Sequence, residues 1–547
     1  MEDEEHKIEE TGHEEPKKQE RKFIVWDWLR LVAWLSVVVL LCILIHNTDM
    51  RRKIKVDNAA VNWNKLMLVL QNVDENYVDD IDYSKVTEKA LSDILQDLDP
   101  HSVYLPPMEL QKADESLSGK FGGIGIEFNV PNDTAIVANV ISQGPSQSAG
   151  IISGDRIIKV DGVSIAGVKM PQDSMVARMR GPKGTKVRID IQRIGDTALI
   201  PFVITRDIIP VKSIDVAYMI DDTTGYIKLS KFQRTSYKEF MPAMESLKKH
   251  GMKKLVFDLR GNLGGYLDQA VLLSNEFLGI GDGIVYMQGK HRKREDINAD
   301  GKGLYKDIDL DVLIDDESAS SSEIFTGAMQ DNDRATIYGR RSFGKGLVQE
   351  PMYFSDGSGI RLTVARYYTP SGRCIQKPYG DDYMMDIVKR YEHGEMTSAD
   401  SIPVNDSLKF TTKGGRTVYG GGGIIPDVFV PIDTTAVNDF YVACNRKNLP
   451  FKFAVSTSDK YRARMASMHD LKSVENFVDG MDIASSFLAY AKRNGVVPKK
   501  GEWETTSPML TVYLKAMIAR YTPLDDDAFY PILLTQDNVV QAALKGK

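Results

Sequence analysis

The chain has 547 residues, 42% of them hydrophobic and 27% charged, an ordinary globular balance that excludes wholesale disorder. At about 150 residues per domain the length makes roughly three to four domains, and the charge, 69 lysines and arginines against 76 acids for a net −7, shows no global footprint for nucleic acid. Three cysteines, Cys42, Cys374 and Cys444, lie far apart with no CxxC pair, which argues against both a disulfide framework and a cysteine zinc site.

In chain order, residues 1–22 are rich in acids and poor in apolar residues, and read as a solvated tail. The stretch Leu31–Ile45 carries no charge, and extended back to Phe23 it makes a helix of about 34 Å, enough for a hydrocarbon core of roughly 30 Å. No small-x-small cleavage site follows it, so residues 23–46 read as one uncleaved transmembrane anchor. Basic residues flank both ends, so local charge leaves its orientation open. Residues 47–115 read as a helical N-terminal region: 57–97 carry helical periodicity, through Val61, Leu66, Leu68 and Val69 and then Val86, Ala90, Leu91, Ile94 and Leu95, and end at Asp99-Pro100 as a helical neck or lid. Residues 116–207 switch to short alternating strands punctuated by glycine, a β-rich module. Residues 208–432 alternate strand-like and helical runs, the pattern of a layered α/β domain. Within it, residues 379–423 are polar and glycine-rich and read as an insertion or flexible loop, and residues 433–547 return to helical periodicity.

Three clusters in the α/β domain could carry chemistry. The first is Ser318-Ala319-Ser320-Ser321-Ser322-Glu323, between an apolar strand and a helix start. Capping accounts for one or two serines but not four. A serine nucleophile here would have free backbone N–H groups and the positive end of the helix dipole beside it to hold an oxyanion. The second is Ser342-Phe343-Gly344-Lys345-Gly346-Leu347-Val348-Gln349, where a lysine between two glycines can lose its charge by desolvation and act as general base. If the chain is extended after Gly346, Gln349 falls on the face of Lys345 and can orient the amine. The third is Asp258-Leu259-Arg260-Gly261-Asn262-Leu263-Gly264-Gly265, a βα turn whose N–H groups can face a ligand.

Competing motifs fail. Gly339 to Lys345 matches the first part of a phosphate-binding loop, but Gly346 stands where Ser or Thr must hold magnesium. The histidines show neither HExxH nor a GxSxG-type setting.

Together these clusters make the chain resemble the C-terminal processing peptidases, also called tail-specific proteases, over roughly residues 60–432. Asp99-Pro100-His101-Ser102 and Tyr368-Thr369-Pro370-Ser371-Gly372-Arg373 match further family patterns. The resemblance implies Ser320 as nucleophile, Lys345 as base, Gln349 as its positioner, and the N–H groups of Ser321 and Gly264 as oxyanion donors, with Gly265 the near rival of Gly264. Ser318 and Ser322 are the rival nucleophiles, and either could instead be a cap or helix residue. The β-rich module resembles a PDZ domain, in which Gly123, Ile124, Gly125 and Ile126 would capture a C-terminal carboxylate on backbone N–H groups. Arg180 matches a family arginine that couples capture to activity, against a plain reading as a solvated arginine.

The implied fold is a crotonase-like or Clp-protease-like α/β core with an inserted PDZ domain, a helical N-terminal region, a helical C-terminal region and one N-terminal transmembrane helix. The implied protein is a single-pass serine endopeptidase of the inner membrane, its tail cytoplasmic and its catalytic region periplasmic. It would act on proteins or peptides with free apolar C-termini, with no metal, nucleotide or organic cofactor and no nucleic acid, and its C-terminal helices would serve capping, dimerisation or adaptor binding. The rival readings are a catalytically silent or latent PDZ scaffold on the membrane.

Overall fold

The computed structural model describes residue 32 and residues 64–546, apart from 131, 132, 142, 381 and 382. The expected anchor over 23–46 therefore lies, except for Val32, outside the described residues. Among the described residues no helix is long and apolar enough to cross a membrane.

The chain divides into two compact units, one up to Lys89 and one from Ala90 onward. In the first, residues 64–76 are helical, and a second helix, Tyr83–Gln96, runs on into the second unit. The break between them carries Asp79 and Asp80, and Tyr83 is tied back to Asp74 by a 2.5 Å hydrogen bond.

The centre of the second unit is a six-stranded sheet of β1 (Ile214–Met219), β2 (Thr224–Leu229), β3 (Lys254–Asp258), β4 (Asp309–Ile314), β5 (Thr336–Gly339) and β6 (Val428–Phe429), paired in that order. β1 and β2 are antiparallel, and every later pair is parallel because a helix crosses over between successive strands. Parallel strands buried on both faces need near-continuous apolar runs, which β3 (KLVFD) and β4 (DLDVLI) supply. Leu255 and Phe257 face α1 (Ser236–Lys249), α2 (Leu267–Asn275) and α3 (Ser321–Asp331), through Phe240, Leu273 and Phe325. Val256 and Leu313 face the other way, where α4 (Asn538–Lys545) covers them with Val539, Val540 and Ala543. The last helix of the chain is thus a layer of the core.

A second sheet joins Val103–Leu105, Gly283–Gln288, Glu295–Asn298, Leu347–Tyr353 and Gly359–Tyr368. The β-rich module is a separate sheet in which Ile126–Asn129 is an edge strand, with the helix Gln172–Met179 on its own apolar core. The C-terminal region folds around its own core of Phe440, Phe453, Phe487 and Leu510. It also braces the module: Arg156 pairs with Asp459 at 2.8 Å, Asn139 Nδ2 donates to Asp525 at 2.5 Å, and Arg462 donates to the Ser153 carbonyl.

Residues 379–423 correct the expectation of a flexible loop. They contain the helix Asp386–Glu392 and a hairpin of Lys409–Thr411 with Thr417–Tyr419, and they bury Arg390, Glu395 and Met396. Composition misled here because charged side chains that pair in the interior look the same in sequence as solvated ones.

Candidate active site

The serine cluster follows the carboxyl end of β4 and the glycine turn follows the carboxyl end of its neighbour β3, so the parallel register brings them face to face. Three of the four serine hydroxyls rivet the two loops together. Ser318 Oγ donates to the Leu259 carbonyl at 2.8 Å, Ser321 Oγ to Gly265 at 2.9 Å and Ser322 Oγ to Asn262 at 2.8 Å. Ser320 alone among them keeps a free hydroxyl.

Ser320 is also strained, at φ 56° and ψ −114° as the N-cap of α3. A non-glycine residue held there costs about 1–3 kcal/mol, and it persists because the surroundings over-determine it. Opposite it, Gly264 sits at φ 95°, and a Cβ on it would lie 2.7 Å from Ser320 Cβ and 2.9 Å from the Ser321 nitrogen. Only glycine allows this approach.

Ser321 is the first residue of α3, so its N–H has no helical acceptor and points out of the helix start. Gly264 departs from the expected role of free donor: its N–H is donated to Asn262 Oδ1 at 2.9 Å. The Gly265 N–H makes no hydrogen bond.

Lys345 lies just before the strand Leu347–Tyr353, and its Nζ donates to Gln349 Oε1 at 2.8 Å. Gln349 Nε2 in turn donates to the His101 carbonyl at 2.6 Å, which brings the Asp99-Pro100-His101 segment into the site. Burial, followed by the charge of Arg361, lowers the Lys345 pKa to about 8. No hydrogen bond joins Lys345 Nζ to Ser320 Oγ. The His101 ring is pushed down to about 4, first by burial and then by the Lys345 charge, so it is neutral beside the lysine.

Sequence reasoning missed the group that holds both halves of the site. Glu323 is fully buried on the first turn of α3. Its Oε2 accepts from the N–H groups of Ser320 at 2.9 Å and Lys345 at 2.8 Å. Its Oε1 accepts from Ser342 Oγ at 2.5 Å and the Gly344 N–H at 2.7 Å. Burial raises its pKa while these four donors oppose the shift. The available signal was the Ser-x-x-Glu spacing of a capping box, Ser320 to Glu323. Tyr367 was also missed; its hydroxyl lies between the carbonyls of Ser320, at 3.0 Å, and Lys345.

Glu323→Gln leaves one acceptor oxygen for four donors. It is expected to cost about 2–4 kcal/mol in urea unfolding and to loosen the serine and lysine loops at once. An unchanged midpoint would mean that the carboxylate is dispensable.

The residues expected to capture a peptide carboxylate form one continuous turn. Gly123 ends the strand Lys120–Gly123, Ile124 is buried, Gly125 has φ 75°, and Ile126 begins the edge strand. Arg180 is not a free surface arginine: Nη1 pairs with Glu115 at 2.7 Å and the guanidinium covers the Phe121 ring at 4.4 Å. Glu115 belongs to the helix Pro107–Ser118, which leads from the Asp99-Pro100-His101 segment into the module. Among the described residues no cluster could hold a metal ion.

A free serine at a strained helix start, opposite a glycine turn and beside a desolvated lysine, defines a serine hydrolase site. A model of peptidase family S41 matches residues 223–383, a PDZ-domain model matches residues 122–200, and a family of unknown function matches residues 440–522. The chain is 36% identical over 373 residues to a carboxy-terminal-processing protease of Bartonella bacilliformis, covering 67% of this chain and 83% of that one. It is 34% identical over 384 residues to a probable CtpA-like serine protease of Staphylococcus saprophyticus, covering 68% and 74%. The solved photosystem II D1 C-terminal processing protease aligns at 24% identity and a TM-score of 0.36, covering 68% of this chain and 87% of that one. The chain belongs to peptidase family S41, as a serine peptidase of the carboxy-terminal-processing type with a PDZ domain.

Proposed function

We propose that this protein is a membrane-anchored endopeptidase that captures free apolar C-termini on its PDZ domain and cleaves with a Ser320–Lys345 dyad. The observation that carries this is the single free serine hydroxyl, on Ser320, at a strained helix start with a lysine of lowered pKa in the facing loop. Ser320 Oγ attacks the scissile carbonyl while Lys345 Nζ accepts its proton. The oxyanion is held by the Ser321 N–H and a glycine N–H of the turn, Gly264 once released from Asn262, or Gly265. The lysinium then protonates the leaving amine, and water, deprotonated by the same lysine, releases the acyl-enzyme. Residues 23–46 supply the anchor, and the catalytic region is placed on the periplasmic side of the inner membrane.

Recognition uses the Gly123–Ile126 turn for the carboxylate and the edge strand Ile126–Asn129 for the peptide backbone. A latent resting form is favoured by Gly264 bonding to Asn262 and by Lys345 Nζ making no hydrogen bond to Ser320 Oγ, so that substrate binding has to close the dyad.

The test is the detergent-solubilised full chain with an unstructured polypeptide ending in apolar residues, followed by mass spectrometry. The free-carboxylate form is expected to be cleaved at least about tenfold faster than its C-terminal amide, because the amide forfeits a charge-assisted contact. Equal rates would remove carboxylate capture. No cleavage of either, with retained binding of the free form, would favour the scaffold. Acceleration of a short reporter peptide by a second, uncleavable apolar C-terminus would favour latency.

A further inference from the structure

Residues 384–423 lie beyond the matched peptidase family model, which ends at residue 383, yet they grip the loop that carries Lys345. Arg390, on the helix Asp386–Glu392, is 4% exposed. Its Nη1 donates to the Ser342 carbonyl at 2.9 Å and the Arg341 carbonyl at 3.4 Å, and its Nη2 to the Phe343 carbonyl at 3.1 Å. Three consecutive carbonyls, ending two residues before Lys345, thus converge on one guanidinium. Its Nε lies 2.9 Å from the Asp386 carboxylate, an ion pair that makes no hydrogen bond there.

The same loop is held from its other side. Arg341 makes a two-pronged pair with Glu395, 2.6 Å at each prong, and donates to the Gly422 carbonyl at 2.6 Å. The Ser342 N–H donates to the Ile424 carbonyl at 3.0 Å, and Ser342 Oγ accepts from the Ile424 N–H at 2.6 Å. Tyr383 OH meets His101 Nε2 at 2.6 Å, and the His101 carbonyl anchors the Gln349 amide that orients Lys345. Lys377 pairs with Asp386 at 3.1 Å and covers the Phe343 ring at 4.0 Å. A surface insertion would not spend this many buried charges on a neighbouring loop, since each costs desolvation unless its geometry is met.

We propose that residues 383–424 are a clasp that sets the position of the lysine loop, with Arg390 as its positioning residue. The clasp supplies a cation for the loop's own carbonyls, since the loop's Arg340 and Arg341 are engaged by Asp316 and Glu395. Glu323 fixes the Gly344 and Lys345 N–H groups, and the guanidinium fixes the three carbonyls that precede them without touching substrate. This rests on the reading of Lys345 as the base.

The experiment compares the full-length parent with Arg390→Ala, Arg390→Lys and Glu395→Gln by peptide cleavage across pH and by hydrogen exchange with mass spectrometry. Arg390→Ala is expected to lower kcat about 10- to 100-fold with KM within about twofold, the scale of a small misplacement of a catalytic group. The midpoint of the rise in kcat with pH should move up from about 8 as water reaches Lys345, and exchange should quicken at 340–346 but not at 321–331. Arg390→Lys should recover part of kcat, and Glu395→Gln should give a smaller change of the same kind. Unchanged kcat and midpoint in Arg390→Ala, or exchange quickened throughout the core in all three variants, would overturn the clasp. If Lys345→Met still cleaves, the reading of the base fails instead, and exchange confined to 340–346 still decides whether the segment clasps the loop.

Discussion

Ser320→Ala is expected to lower kcat by about 10⁴- to 10⁶-fold while leaving the unfolding midpoint unchanged or slightly raised. The large loss follows from removing the attacking oxygen, and the thermal result from Ser320 Oγ donating no hydrogen bond within the protein. The neighbouring serines should behave in the opposite way. Ser318→Ala and Ser322→Ala each remove one of the two hydrogen bonds that the Leu259 and Asn262 carbonyls accept, which costs about 0.5–1.5 kcal/mol each in stability. Their kcat should fall far less than that of Ser320→Ala. Cleavage rates and thermal melts on the four chains separate nucleophile from rivets. Comparable kcat in the parent and Ser320→Ala would place the nucleophile elsewhere.

The second large effect belongs to Lys345→Met, which keeps the stem and removes the amine. Cleavage should fall by about 10³-fold or more, because no other group in the cluster can accept the Ser320 proton: His101 is turned to Tyr383, and the buried Glu323 is saturated by donors. Stability should change in the other direction. A lysine whose pKa is lowered to about 8 in the fold, from an ordinary 10.5, binds fewer protons folded than unfolded between those values. The parent therefore carries the full cost of a desolvated cation below about pH 8, and sheds it as pH rises toward 10.5. Lys345→Met should melt higher than the parent at pH 7, with the gap narrowing by pH 10. The parent's kcat/KM should rise with pH through a midpoint near 8, as the amine becomes neutral. A melting difference independent of pH would mean that Lys345 is not desolvated, and an activity midpoint far from 8 would mean that it is not the base.

The C-terminal region has a defined place in this chemistry. Asp258 and Arg260 flank Leu259 at the start of the glycine turn, and the carboxylate, buried and held well below its usual range by Arg260 and Lys228, grips the guanidinium at 2.6 Å. The other side of Arg260 meets Asp537, the N-cap of α4, at 2.9 Å. The turn opposite Ser320 is thus braced by the same helix that completes the core layer.

Local pattern was enough for much of this protein. The apolar runs of β3 and β4, the glycines of the turn, the serine run ahead of a helix and the lysine between two glycines are short-range signals, and each motif lies where a strand ends. The distribution of hydrogen bonds among Ser318, Ser320, Ser321 and Ser322 could not be read that way, because their partners lie about sixty residues upstream and meet them only through the parallel pairing of β3 with β4. The engagement of Gly264 by Asn262 is likewise set by the tertiary structure, since a glycine in sequence does not show where its N–H points. Arg390 and Glu395 looked like solvated charges in a polar insertion and prove to be buried against the lysine loop about fifty residues upstream. Sequence by itself determined the elements and the chemical groups available, because propensity and periodicity act over a few residues. Only the tertiary structure decided which groups are free, which are desolvated and which hold others in place, because those depend on neighbours that the chain brings together from far apart.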